Sequence, residues 1–171
     1  MVSKEVQDAI NAQIGREFFA AYLYLGMMSY FENRSLSGFG HWMRLQAQEE
    51  AAHAMRLVDF LLDRGGNVEL QAIDRPVIEF DSPLSVMRAA LAHEQKVTGT
   101  INDLYAIAVQ HNDYPAQVLM QWFVSEQVEE EKNAGEIVDQ LELAAGSGSA
   151  LLVLDGRLAE RISEEPAPEA Q

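Results

Sequence analysis

The sequence predicts an all-α protein: a four-helix bundle with one long crossover and a short fifth helix. Three observations carry this reading. Four long stretches repeat apolar residues at the helical period. No stretch alternates at the period of two that marks a strand. The connections between the four stretches run short, long, short.

The first helix is expected from about Lys4 to Asn33, with Ser3 as its cap. The second runs from about Gly38 to Arg64 and stops at Gly65-Gly66, a C-terminal signal. The third opens at "DSPLSV", where Ser82 caps and Pro83 fits the first helical position. It runs to about His111. The fourth runs from about Pro115 to Ala145 and ends at "GSGS". A short fifth, "ALLVLDGRLAERI", follows. The domain is expected to occupy residues 1–162, and the Pro-rich acidic end, 163–171, reads as a disordered tail.

Connection lengths set the topology. "NRSLS" and "HNDY" are short links, which make antiparallel neighbours. The link over roughly 66–82 is long enough to run the length of a ~40 Å helix at ~3.3 Å per extended residue. The second and third helices can therefore be parallel.

Bulk properties narrow the function. A chain of 171 residues with 48% hydrophobic content suits one globular domain. It shows no membrane-length apolar run and no signal-peptide core. It has no cysteine, which fits a reducing cytoplasm and excludes thiolate metal sites. The net charge of −15 disfavours nucleic acid and favours cations.

The inner stripes carry the chemistry. The first helix reads Ile10, Ile14, Glu17, Ala21, Tyr24, Met28. The second reads Met43, Ala47, Glu50, Ala54, Leu57, with His53 one turn after Glu50. The third reads Met87, Leu91, Glu94, Val97 or Thr98, Ile101. The fourth reads Leu119, Trp122 or Phe123, Glu126, Glu130, Ile137. Each helix thus puts a glutamate at a core position near its middle. Converging bare carboxylates would repel one another strongly at low dielectric. No Lys or Arg lies on these stripes, so metal ions are the natural counter-charge. Carboxylates with one imidazole suit iron or manganese and hold zinc weakly. On that reading Glu50 and His53 share a face because they ligate one ion. Glu49, about 100° away, is either exposed or meets Glu126 and Glu129 just outside the pair. His41, His93 and His111 read as non-ligands, and Tyr105, Trp42 and most methionines read as core.

A lone Glu-x-x-His is weak evidence, and "SEQVEEEKN" alone reads as a solvated face. The coincidence of mid-helix acids in four helices of this topology is what decides for metal.

Inward glutamates with a Glu-x-x-His pair form the layout of ferritin-like di-iron proteins. The stretches "AAYLYLGMMSYFE" (20–32), "GFGHWMRLQAQEEAAHAM" (38–55), "LLDRGG" (61–66), "DSPL" (81–84), "HEQKVT" (93–98) and "FVSEQVEEE" (123–131) resemble prokaryotic non-haem ferritins over nearly all of residues 4–160. The resemblance implies a ferritin-like bundle with a ferroxidase centre. Glu17, Glu50 and His53 would hold one iron; Glu50, Glu94 and Glu130 would hold the second, with Glu50 bridging. Glu49, Glu126, Glu129 and Glu130 would form a third site. Tyr24 matches a tyrosine beside the centre that can supply an electron. Gln127 matches a position behind the ligands or a weak ligand, and Trp122 lies close by. The family oxidises Fe(II) with oxygen or peroxide and stores Fe(III) mineral inside a 24-chain shell. The fifth helix resembles one that lines the shell's symmetry channels. Two departures stand out: Phe18-Phe19, where relatives usually carry Ile-Tyr, and the unusually small "GSGS" link.

Other classes fit less well. Bacterioferritins, rubrerythrins and di-iron or di-manganese oxygenases and reductases usually carry two Glu-x-x-His pairs. Here the fourth helix offers Gln127-x-x-Glu130. A second site without an imidazole is expected to hold iron loosely, which suits storage. The residue after "EEA" is Ala52, so no haem ligation by methionine is expected there. A metal-free structural bundle leaves the core acids unexplained. The expected partners are iron, oxygen or peroxide and further copies of the chain; neither nucleic acid nor membrane is expected.

Overall fold

The computed structural model describes residues 2–162; the expected tail at 163–171 lies outside them. Five helices appear among these residues: α1 (Lys4–Glu32), α2 (Ser37–Asp63), α3 (Pro83–Gln110), α4 (Tyr114–Ala144) and α5 (Gly148–Leu158). The caps explain most of the boundaries. Ser3 accepts from the Val6 amide at 3.3 Å and starts α1. Ser82 and Ser85 cap each other reciprocally at 3.1 and 3.0 Å at the start of α3. Asp113, not foreseen as a cap, accepts from the Ala116 amide at 3.1 Å and begins α4. The "GSGS" segment is shorter as a loop than expected. Ser147 accepts from the Ala150 amide, so Gly148 and Ser149 join α5. The helix ends at Leu158, four residues before the predicted end at Ile162.

Two apolar cores show the directions of the helices. One joins Leu23–Phe31 of α1, Phe39–Ala47 of α2, Val86–Ala90 of α3 and Ile137–Leu141 of α4. The other joins Val6–Ile14 of α1, Leu57 and Leu61 of α2, Val97–Ala108 of α3 and Ala116–Phe123 of α4. The N-terminal halves of α2 and α3 share one core, so these helices are parallel. Each pairs antiparallel with the helix reached by its short link. This is the expected bundle with one crossover.

The crossover is tied to α1 by side chains. Asn11, buried, donates to the Asn67 carbonyl at 2.9 Å and accepts from the Glu69 amide at 2.8 Å. Arg64 at the C-terminus of α2 reaches Asp113 at 2.5 Å and so joins α2 to the N-terminus of α4 at one end of the bundle. No described helix is long and apolar enough to cross a membrane.

The inner stripes are largely as expected, with small shifts. In α1 the buried positions are Ala20 and Met27; Ala21 and Met28 are half-buried. Val97 and Phe123 take the core places for which Thr98 and Trp122 were alternatives. Tyr105 is half-buried against the second core, and Trp42, Met27, Met43, Met87 and Met120 are buried.

The fifth helix packs on α2 and α4. The α2 N-cap, Leu36, has no side-chain oxygen to offer. Asp155 of α5 supplies one, accepting from the Phe39 amide at 2.9 Å. Close approach is possible because residue 38 is glycine: a Cβ there would lie 1.7 Å from the Asp155 carbonyl oxygen. We therefore expect Gly38→Ala to unseat α5. Thermal unfolding should report a loss of about 1–3 kcal/mol, the scale of overpacking a core. Limited proteolysis should cut the variant near 145–147 faster than the wild type.

Candidate metal centre

Between the two apolar cores lies a polar waist. In α1, Glu17 separates Ile14 of one core from Leu23 of the other; in α3, Glu94 separates Ala90 from Val97. In α2, Glu50 and His53 lie between Ala47 and Leu57; in α4, Gln127 and Glu130 lie between Phe123 and Ile137. The helical period that buries the apolar residues on either side buries these side chains too. Glu17, Glu50, His53, Glu94 and Glu130 are all buried.

Glu17, Glu50 and His53 each offer one ligand atom within 4.8 Å of the others. Among the described residues this is the one group of three or more carboxylates or imidazoles so placed. The His53 Nδ1 lies 3.7 Å from Glu50 Oε2. The imidazole is wedged edge-on against Trp122 and Phe123, with ring centres 5.3 and 5.8 Å away. Trp122 in turn lies under the Arg56 guanidinium at 3.6 Å.

Neutral hydrogen-bond donors hold the other carboxylates. Gln13 donates to Glu17 Oε1 at 2.7 Å. Tyr24 donates its hydroxyl to Glu94 Oε1. Gln127 donates to Glu94 Oε2 at 3.2 Å and to the Glu94 carbonyl at 3.2 Å. Gln46 donates to Glu130 Oε2 at 2.7 Å. Each donor satisfies an oxygen without adding charge, and so leaves the site's negative potential in place.

That potential shows in the proton affinities. Burial, then the charges of Glu94 and Glu17, pushes Glu50 well above the carboxylate range. Burial raises Glu94 to about 7 against the bonds from Tyr24 and Gln127. Burial and the Glu94 charge raise Glu130 to about 7. Burial, then the Glu94, Glu50 and Glu130 charges, raises the Tyr24 phenol well above its ordinary value. It therefore stays protonated and donates. Without a cation, protons are held on carboxylates that are ionised in water. Two carboxylates and an imidazole in such a pocket make a hard, anionic donor set that fits iron or manganese.

The remaining expected site residues lie at the rim. Glu126 is half-buried, not a core position, and Glu129 is exposed. Glu49 is buried: its Oε2 accepts from Arg161 Nη2 at 2.8 Å, and its buried Oε1 has no hydrogen-bond partner. His41 and His93 are half-buried; His111 is exposed as a residue, but only 29% of its side chain is accessible. His41 Nε2 lies 2.9 Å from the Arg161 carbonyl. Burial, then Lys96, lowers His93 to about 4. Gln13, Gln46 and Arg161 are the contributors that periodicity alone did not mark. Gln13 and Gln46 lie one turn before Glu17 and Glu50, and that spacing was the available signal.

The Ferritin-like domain family matches residues 7–144. The chain belongs to the ferritin family. It is 38% identical to a bacterial non-heme ferritin of Bacteroides fragilis over 94% of this chain and 100% of that one. It is 40% identical to a bacterial non-heme ferritin of Campylobacter jejuni over 91% and 93% of the two chains. Among solved structures, the open pore ferritin of the hyperthermophilic archaeon Archaeoglobus fulgidus superposes with a TM-score of 0.94 at 44% identity, covering 95% of this chain and 100% of that one. A humanized archaeal ferritin superposes at 0.95 with 43% identity, covering 96% and 100%.

The raised carboxylates of this ferritin give a stability signature. Folded Glu94 and Glu130 sit at about 7 against an ordinary 4.5, so the folded state holds more protons between those values. Their contribution is present at low pH and is lost as pH rises through about 7. The metal-free protein should therefore show a falling Tm from about pH 5 to about pH 8. Glu94→Gln should flatten that slope, and a bound divalent ion should abolish it. A wild-type Tm that rises across this window, with no change in Glu94→Gln, would contradict the assignment.

Proposed function

We propose that this ferritin stores iron, oxidising Fe(II) with oxygen or peroxide at the waist carboxylates and keeping Fe(III) mineral inside a 24-chain shell. The observation that carries the reading is the buried group Glu17, Glu50 and His53, within reach of a single ion. The names of its ferritin relatives support storage as the purpose.

In this reading iron is the substrate. Glu17, Glu50 and His53 take one ion. Glu50, Glu94 and Glu130 take the second, and Glu50 bridges the two. Glu49, Glu126, Glu129 and Glu130 form an outer, third position. Each Fe(II) at the adjacent sites loses one electron. Dioxygen accepts both, with two protons, and leaves as hydrogen peroxide; two Fe(III) remain. The buried carboxylates favour the more highly charged ion, and so favour oxidation. With peroxide as oxidant and a single Fe(II) bound, Tyr24, bonded to Glu94, supplies the second electron and its phenol proton; with one more proton from solvent, two waters leave and Fe(III) and a tyrosyl radical remain. Gln127 holds Glu94 in place. The second site has no imidazole, so Fe(III) there is held less firmly and passes on to the store.

Shell formation is supported by the single chain's bare apolar side chains. Leu143 on α4 and Leu152 and Val153 on α5 are largely exposed, on the helices that pack together at one end. A cytoplasmic location agrees with the absence of cysteine.

The test is to add excess Fe(II) in air and measure iron per chain in the particle fraction of a sizing column. Retention far beyond two ions per chain in a large particle is expected; a ceiling at about two in a small species would mean a fixed di-metal protein instead. Glu17→Ala and His53→Ala should slow the fast phase of oxidation at least about tenfold, the scale on which even partners of metal ligands act. Both variants should still assemble. A wild-type initial rate in either would refute the ligand assignment.

A further inference from the structure

The part of the centre that the helical stripes do not explain is the cation already in it. Arg161 follows α5, well away in sequence from Glu49, the carboxylate it meets. Its Nη2 donates to Glu49 Oε2 at 2.8 Å and its Nη1 donates to Gln46 Oε1. Gln46 passes the contact on to Glu130 at 2.7 Å. Its guanidinium carbon lies 4.9 Å from the centre of the Trp42 ring. Only 17% of the Arg161 side chain and 7% of the Glu49 side chain are accessible, so this pair is not a solvated surface bridge.

We propose that the Arg161 guanidinium is a built-in counter-cation that occupies Glu49 until a metal ion displaces it. The inference rests on the outer position of the reading above and adds a residue that controls it. Glu49 is buried at 6% exposure, and an isolated buried carboxylate is costly. Arg161 relieves that cost, but only through one oxygen. The other, Oε1, is buried and unpartnered, so the carboxylate has coordinating capacity that the arginine does not use. A metal ion on Glu49 would lie within a few ångströms of the guanidinium, and like charges so close in a partly buried site repel strongly. The two cations are therefore competitors.

The surroundings let the side chain yield without moving the fold. The Arg161 carbonyl is held by His41 at 2.9 Å, and α5 is pinned through Asp155. Beside the guanidinium lies a cavity of about 250 Å³ lined by Trp42, Glu136, Gln140, Arg157 and Arg161 itself. Glu136, 3.8 Å from Lys132 Nζ, is a second carboxylate lining it and would share the displaced arginine. Release of Arg161 also frees Gln46, so occupation of the outer position is felt at Glu130.

The test is a titration of the assembled, metal-free protein with Zn(II), a redox-inert probe, in wild type and variants. Wild type should show two tighter equivalents and a weaker third. Arg161→Gln keeps bulk and donors but removes the charge, and should tighten the third equivalent at least about tenfold, the worth of one charge-assisted hydrogen bond. Arg161→Lys should stay near wild type. Glu49→Gln should lose the third equivalent and keep the first two. A third equivalent unchanged or weakened in Arg161→Gln, with the first two intact, overturns this inference alone. Absence of the first two in wild type overturns the metal centre, and this inference with it. If Arg161→Gln does not fold, wild-type tryptophan emission decides: a change at the third equivalent should be present in wild type and absent from Trp42→Phe, because Arg161 lies beside the Trp42 ring. A change present in both, or absent from both, overturns the proposal.

Discussion

Everything in this bundle is arranged around carboxylates that cannot be buried as bare anions. Glu17, Glu50, Glu94 and Glu130 stand between two apolar cores, each on a different helix. Either core alone would pack as an ordinary bundle. The waist between them is stable only when its negative charge is compensated, by protons or by metal ions. The neutral donors Gln13, Tyr24, Gln127 and Gln46 orient the oxygens and leave that requirement unmet. A site built in this way is ordered before the ion arrives and gains most from its arrival. The same physics favours the more highly charged ion, so in the proposed function affinity and oxidation would draw on one source.

In the function proposed for this chain, the two metal positions differ in their ligands. His53 gives the first position a nitrogen ligand, locked by Trp122 and Phe123. At the corresponding place on α4 stands Gln127, whose amide is engaged with Glu94. One position is therefore rigid and mixed in donor type, and the other is all carboxylate. That asymmetry suits a substrate that enters, reacts and moves on.

The fifth helix ties the rim of the bundle to its centre. Asp155 caps α2, which has no cap of its own, and Arg161, beside the Trp42 ring, reaches Glu49. Both contacts join residues more than one hundred positions apart in the chain. The end of the chain thus takes part in the electrostatics of the site and does more than cover an edge.

The sequence by itself determined the helices, their order and directions, the Glu50–His53 pair and the buried glutamates. Those features follow from periodicity, caps and link lengths, which are local and repeat along each helix. Its limits are visible in particular residues. A stripe drawn at fixed spacing chose Ala21 and Met28 where the helix buries Ala20 and Met27, because 3.6 residues per turn must be rounded to whole positions. It placed Glu126 in the core, yet on α4 the burial falls on Gln127 and Glu130 and leaves Glu126 half-exposed. It left Glu49 between two readings. Only the tertiary structure buries it, and brings Arg161 against it. No pattern along a chain predicts which distant side chain will meet a buried charge, because that partner is chosen by how the last helix docks.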